Sequence, residues 1–318
     1  MTAPAADCPG PPRTVHVIVT CANRQTLPVP PRLRLDSVAG HDTTQRAREW
    51  ARRLSGTGSV PLIAAQNLYA GEHWMIARGL PGRVGHAPTR LWVCSAGYGL
   101  IPADAMVRPY AATFSGRADR VPGGADGARQ WWQALASWEG PAPGQPRSIG
   151  SLAAADPSAG FLLALSASYL DACRDDITAA AAQVADPDTF VVISAGARFP
   201  GSAGAAMVPS DARLQAFLGG TRQALNARIA AHLLSAGISS RAEAIRQMTR
   251  LLARQPPATR YDRKKLSDQE VTEMIARRLA QAPGTSASRL LREFRDAGYA
   301  CEQQRFAHLH KLVTGATA

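Results

Sequence analysis

The residues best placed to do chemistry sit at the ends of apolar runs. Cys21 follows VHVIVT and lies three positions before Arg24; Ser95 and Tyr98 follow RLWVC, with Tyr110 further on; Ser194 follows TFVVI. A thiol next to a cation is the arrangement that favours a thiolate, so Cys21 is a candidate nucleophile, with His41, His73 or His86 as its base. A buried structural cysteine is the competing reading. The runs Ser95-Ala96-Gly97-Tyr98-Gly99-Leu100 and Ser194-Ala195-Gly196-Ala197-Arg198 combine small residues with hydroxyls. Small residues let a ligand approach backbone N–H groups, and Ser and Tyr hydroxyls then fix a polar ring or a phosphate. Ordinary turn chemistry would use the same residues.

Signatures of other chemistries are missing from the sequence. There is no GxxxxGK[ST], no GxGxxG after a strand, no GxSxG and no HExxH, so no cofactor is implied. His308-x-His310 lacks an acidic or Cys companion and reads as two exposed helix histidines. Five scattered cysteines form no CxxC pair, which fits a reducing cytoplasm better than a disulfide framework. No apolar run approaches the ~20 residues of a membrane span. Met1–Pro12, rich in Pro and Ala, reads as a disordered leader without a signal-peptide pattern.

The elements that would position these residues follow from periodicity. Val15–Thr20, Arg90–Ser95, Phe161–Ser166 and Thr189–Ser194 read as short buried strands. Asp42–Leu54 reads as a helix with a capping-box-like start, and a second helical stretch is expected over Pro61–Ile76. The Trp131–Trp138 patch has helical spacing and reads as a packing element. Strands separated by helices predict an α/β domain with a mostly parallel sheet flanked by helices, over 14–208 after the 1–13 leader. Open sheets of this kind place their sites at the carboxyl ends of the strands, where Cys21, Ser95 and Ser194 fall.

From Pro209 the pattern is helical only: a connector over 209–255, then an all-helical basic domain over 256–318. The chain of 318 residues carries a formal charge of +12. Residues 221–318 hold 17 Lys/Arg against 8 Asp/Glu, or +9, which leaves about +3 for the rest. That bias points to a polyanion partner. Ser267-x-x-Glu270 caps a helix with Val271, Met274, Ile275 and Leu279 inside. A second helix from Ser286 buries Leu290, Leu291 and Phe294, and a third from about Glu302 buries Phe306, Leu309 and Val313. Three short helices with a Gly-containing turn before the last suggest a helix-turn-helix. Gln304, Arg305, His308 and Lys311 would then read base edges, while Arg289, Arg292 and Arg295 line the backbone.

The segment Ser95-Ala96-Gly97-Tyr98-Gly99-Leu100 with Pro109-Tyr110 is similar to the S-(A/G)-x-Y-G-L … P-Y core of the YaaA-like superfamily. Thr20-Cys21 and Leu68-Tyr69-Ala70-Gly71 also look like elements of that group, and the resemblance covers about residues 14–200. It implies an α/β fold associated with DNA binding and oxidative DNA stress. Relatives occur beside 7-deazaguanine modification and phage-defence genes, where at least one branch is thought to act on the modified base. By this resemblance Ser95, Tyr98 and Tyr110 form a ligand pocket, and Arg24 stands at the basic position after the first strand. The Trp-rich insertion and the C-terminal helices depart from the short members. The expectation is a DNA-directed protein of a bacterial stress or phage-defence system, with an N-terminal pocket for a base or nucleotide. Its competitors are a non-enzymatic DNA-binding regulator and an accessory subunit whose C-terminal helices bind a protein partner.

Overall fold

The computed structural model describes residues 13–40, 42–56, 60–85, 87–116, 118–199, 204, 206–238, 240–257 and 262–315. The leader Met1–Pro12 therefore lies outside the described residues, as do His41 and His86. The chain divides into two compact units, 1–256 and 257–318.

The first unit opens with β1 (Val15–Thr20), α1 (Thr43–Ser55), β2 (Ile63–Ala64), α2 (Ala65–Leu68), α3 (Glu72–Arg78), β3 (Thr89–Ser95), β4 (Gly99–Pro102) and β5 (Met106–Val107). It continues with α4 (Gly124–Ala136), α5 (Ile149–Ala155), β6 (Gly160–Ala164), α6 (Ala167–Ala172), α7 (Arg174–Gln183) and β7 (Phe190–Ile193). It closes with α8 (Leu214–Leu218), α9 (Leu225–Ser235) and α10 (Arg241–Ala253). Five strands form one sheet in the order β4-β3-β1-β6-β7, parallel except for β4. Helices flank it, and the strands are buried on both faces, which is why they read as continuous apolar runs. The order reverses at β1: the chain goes first to β3 on one side and later to β6 on the other. The carboxyl end of β1 is thus the topological switch point, where open sheets leave a crevice.

Two expectations change here. The stretch 61–76 is not one helix: β2 and α2 are followed by Tyr69-Ala70-Gly71, where Gly71 takes φ 96°, before α3 begins. The helical stretch 209–255 is not a free-standing connector, because Leu214, Leu225, Ile229, Leu233 and Met248 are buried in the same core as the sheet. The stretch is broken at Gly219-Gly220, both residues having φ near +70°. At the other end of β1, buried His16 accepts from Trp92 Nε1 (3.0 Å), so its Nε2 carries the proton and donates to Asp156 at 3.3 Å.

The second unit contains β8 (Lys264–Lys265), α11 (Asp268–Gln281), α12 (Ala287–Asp296), β9 (Tyr299–Ala300) and α13 (Gln303–Thr314). Ser267 and Glu270 form a reciprocal capping box on α11, and Ser286 caps α12. Val271, Ile275, Leu290, Leu291, Phe294, Phe306 and Leu309 make a separate core.

Candidate functional site

The turn between β3 and β4 is built before any ligand enters. Ser95 Oγ accepts from the N–H groups of Gly97 (3.1 Å) and Tyr98 (2.9 Å), closing the turn from within. From outside, Trp131 Nε1 donates to the Ala96 carbonyl (2.7 Å) and Trp50 Nε1 to that of Gly97 (2.8 Å). Arg147 donates to the carbonyls of Tyr98 and Leu100. Burial lowers the Arg147 pKa to about 10, still far above neutrality, so these charge-assisted bonds persist. The Trp-rich α4 and the Arg147 loop are therefore the scaffold of the turn. Gly97 is needed because a Cβ there would meet the Tyr110 ring at 2.3 Å.

Against this turn lies a chain of hydroxyls. Tyr110 Oη is 2.6 Å from Ser95 Oγ and 3.0 Å from Tyr69 Oη, and Cys21 Sγ is 3.0 Å from Tyr169 Oη. Tyr98 packs edge-on against the Tyr110 ring, but its hydroxyl accepts from the Arg108 N–H at 2.9 Å. Burial holds the Tyr69, Tyr110 and Tyr169 phenols well above their ordinary pKa, so the chain is neutral.

Of the candidate nucleophile and the three expected pocket residues, Cys21, Ser95 and Tyr110 come together, and Tyr98 packs beside them. Ser95 and Tyr98 are fully buried, however: the Ser95 hydroxyl serves the turn and that of Tyr98 the Arg108 backbone. Ser194 directly follows β7, and its buried Oγ has no hydrogen-bond partner among the described residues. The expectation for the Cys21 thiol is reversed: burial raises its pKa, and hydrogen bonds from Tyr169, Tyr110 and the Ala96 backbone only partly offset that. Arg24 is exposed, and its carbonyl accepts from the Ala70 N–H. His73 donates from Nε2 to the Thr20 carbonyl at 2.9 Å, making no bond to Cys21, and its buried Nδ1 has no partner among the described residues.

The open space lies next to the hydroxyl chain. A cavity of about 250 Å³ is lined by Asn23, Gln25, Arg34, Tyr110, Thr113 and Asp119, among others. Asn23 and Arg34 are exposed, so it communicates with solvent. Gln25 clamps Tyr110 by donating to its carbonyl (2.7 Å) and accepting from its N–H (3.1 Å). Asp119 is buried and takes φ 52°, a left-handed conformation uncommon outside glycine. It is held there by Arg34 Nη2 (2.6 Å) and by a reciprocal pair in which the Asp36 and Asp119 carboxylates each accept the other's backbone N–H (2.9 and 3.1 Å). Sequence reasoning missed Arg34 and Asp119, since a loop pair 85 residues apart has no local signal. Among the described residues no His/Cys/Asp/Glu group could hold a metal ion.

The second unit departs from a simple helix-turn-helix. Six residues, 297–302, separate α12 from α13, and two of them form β9, which pairs in parallel with β8. A helix-turn-helix connection is usually three or four residues. Arg305 is not free to read bases: it donates to Asp268 (2.6 Å) and to the Leu266 carbonyl (2.9 Å). Arg295 donates to the Cys301 carbonyl and Arg289 to Glu293. Arg292, His308 and Lys311 are exposed and have no partner among the described residues, while the Gln304 side chain lies outside them. His310 contacts the Thr285 carbonyl. A cavity of about 280 Å³ between α11 and α12 is mainly apolar and carries none of the candidate residues.

The positive charge is also distributed differently. Residues 257–318 hold 11 Lys/Arg against 7 Asp/Glu, or +4, whereas 221–256 hold 6 Arg against Glu243 alone, or +5. More of the excess therefore belongs to the first unit than to the three-helix unit. Among the described residues no helix is long and apolar enough to cross a membrane. No protein-family model, curated protein or solved structure matches the chain.

Proposed function

We propose that this is a DNA-directed protein whose first unit binds a single nucleobase or nucleoside in the Arg34–Asp119 cavity. The carrying observation is that cavity: a polar site at the carboxyl end of β1, beside the switch point of a mostly parallel sheet. Ligand sites commonly occupy about 300–1,000 Å³, so a cavity near 250 Å³ suits one ring rather than a dinucleotide. Its lining offers donors from Asn23 and Arg34, an acceptor in Asp119 and a hydroxyl on Thr113, the groups that address the edges of a base. Arg34, a cation among the described lining residues, is paired with Asp119 at 2.6 Å. The strain at Asp119 fits a residue retained for binding. The resemblance to the YaaA-like superfamily supports a role in DNA stress or phage defence in the cytoplasm.

Binding without covalent chemistry is favoured by one further observation: Cys21 is a neutral thiol among neutral hydroxyls, its sulfur 3.0 Å from that of Tyr169. Calorimetric titration of the full chain with purine, 7-deazapurine and pyrimidine bases and nucleosides tests the reading. Saturable binding to one class, weakened at least tenfold by Arg34→Ala or Asn23→Ala, is expected. Binding of none, or binding unaffected by both variants, rejects it.

A further inference from the structure

We infer that α10 and the neighbouring end of α8 form a binding surface for single-stranded nucleic acid, separate from the 257–318 unit. The inference rests on the nucleic-acid-directed reading above but uses none of the residues that carry it. Arg246, Arg250 and Arg254 recur every fourth residue, so the three follow one face of α10 and its last turn. At 1.5 Å of rise per residue they stand ~6 Å apart along the axis and span ~12 Å. All three are exposed, and none has a side-chain hydrogen bond or ion pair among the described residues. Contrast Arg241 at the start of the same helix, which faces Asp188, and Arg228 on α9, which is bound by Glu72. Glu243 is the single acid on α10. Such a stripe offers phosphates a track of unspent cations.

An aromatic side chain stands beside that track. Phe217, on α8, is 51% exposed. Its ring meets the His232 ring edge-on at 5.7 Å, and His232 Nε2 lies 3.2 Å from Gln247 Nε2, on α10. Gln247 is three residues before Arg250, its neighbour on the helix surface, and lies two turns before Arg254 on the same side. The row Phe217–His232–Gln247 thus leads from a solvent-facing ring to the arginine stripe. Sequence-independent single-strand binders combine these two parts, a basic groove for the backbone and rings on which bases stack. A duplex keeps its bases stacked inside and has no use for Phe217, so an unpaired strand is the partner that uses both.

The test is fluorescence anisotropy of the full chain with labelled oligothymidylate of about twelve nucleotides and, in parallel, with duplex of the same length. Arg246→Glu with Arg250→Glu and Arg254→Glu should weaken oligothymidylate binding at least about tenfold and reduce the salt slope by about 2, three contacts at about 0.7 each. Phe217→Ala should weaken single-strand binding by roughly 5- to 150-fold and leave duplex binding nearly unchanged. If the glutamate variant melts early, the Arg→Gln triple variant decides. Unchanged single-strand affinity in the arginine variants, with binding lost instead in Arg292→Glu with Lys311→Glu, overturns the α10 surface and leaves the wider reading standing. No binding of either oligonucleotide by the wild-type chain overturns both. Loss of anionic-vesicle binding without loss of oligonucleotide binding assigns the stripe to a lipid surface and overturns the inference.

Discussion

Cys21 Sγ lies 3.0 Å from the Tyr169 hydroxyl, linking the end of β1 to α6 across the boundary at which the sheet reverses its order. The contact joins two neutral groups, and burial keeps both protonated. Cys21 should therefore react with iodoacetamide at neutral pH more slowly than an unhindered peptide thiol, because only the thiolate attacks. Mass-spectrometric timing of carbamidomethylation at Cys21 checks this. A rate at or above the peptide's would reinstate the nucleophile.

The turn of Ser95–Tyr98 should be the most mutation-sensitive part of the first unit. Gly97→Ala drives a Cβ into the Tyr110 ring and should cost about 1–3 kcal/mol as overpacking. Trp131→Phe keeps the ring but leaves the Ala96 carbonyl buried and unbonded, costing about 1–3 kcal/mol. Urea denaturation of each variant gives both values, and a shift below ~0.5 kcal/mol in either would mean that the turn is not held as described.

Stability should fall at both ends of the pH scale. His16 and His73 have pKa values lowered from 6.5 by burial, so the unfolded chain takes up their protons first. Their contribution is present above pH 6.5 and lost as pH falls through the folded-state values. The Tyr69, Tyr110 and Tyr169 phenols and the Cys21 thiol are shifted the other way, from 10.0 and 9.0 upward. Their contribution is present below pH 9 and lost as the unfolded chain ionises while the fold still holds the protons. Urea midpoints at pH 5, 7.5 and 10.5 should be highest in the middle; an unchanged midpoint at pH 10.5 would contradict the neutral hydroxyl chain.

In the second unit, Arg305 and Lys311 should separate stability from binding. Arg305→Ala removes the Asp268 pair and the bond to the Leu266 carbonyl, so it should lower the melting temperature of this unit. Lys311→Ala, at an exposed and unpartnered position, should leave melting within error and weaken DNA binding at low salt. Calorimetric melting combined with anisotropy on the full chain distinguishes them. Equal effects on melting would place Lys311 in the fold rather than on a binding face.

Local chemistry determined a good deal by itself. Val15–Thr20 is a strand because five of its six residues are β-prone, and Asp42, Ser240, Ser267 and Ser286 begin helices because each accepts an N–H of the first turn. The second core was legible for the same reason: helical spacing alone places Val271, Ile275, Leu290, Phe294 and Phe306 on inner faces. Cys21 and Ser95 were legible as neighbours, since parallel strands bring their carboxyl ends to one edge, whereas Tyr110 was placed with Ser95 by the resemblance alone. What the residues do once there was not legible. The thiol's pKa depends on how much water the fold excludes, and the service of Ser95 to its own turn depends on a backbone path that small residues leave open. The Arg34–Asp119 pair, the capture of Arg305 by Asp268 and the unspent arginines of α10 are set by which charges the fold brings within about 4 Å of one another. Sequence spacing carries periodicity and end signals over a few residues. Partner choice across 37 or 85 residues is made only when the core closes.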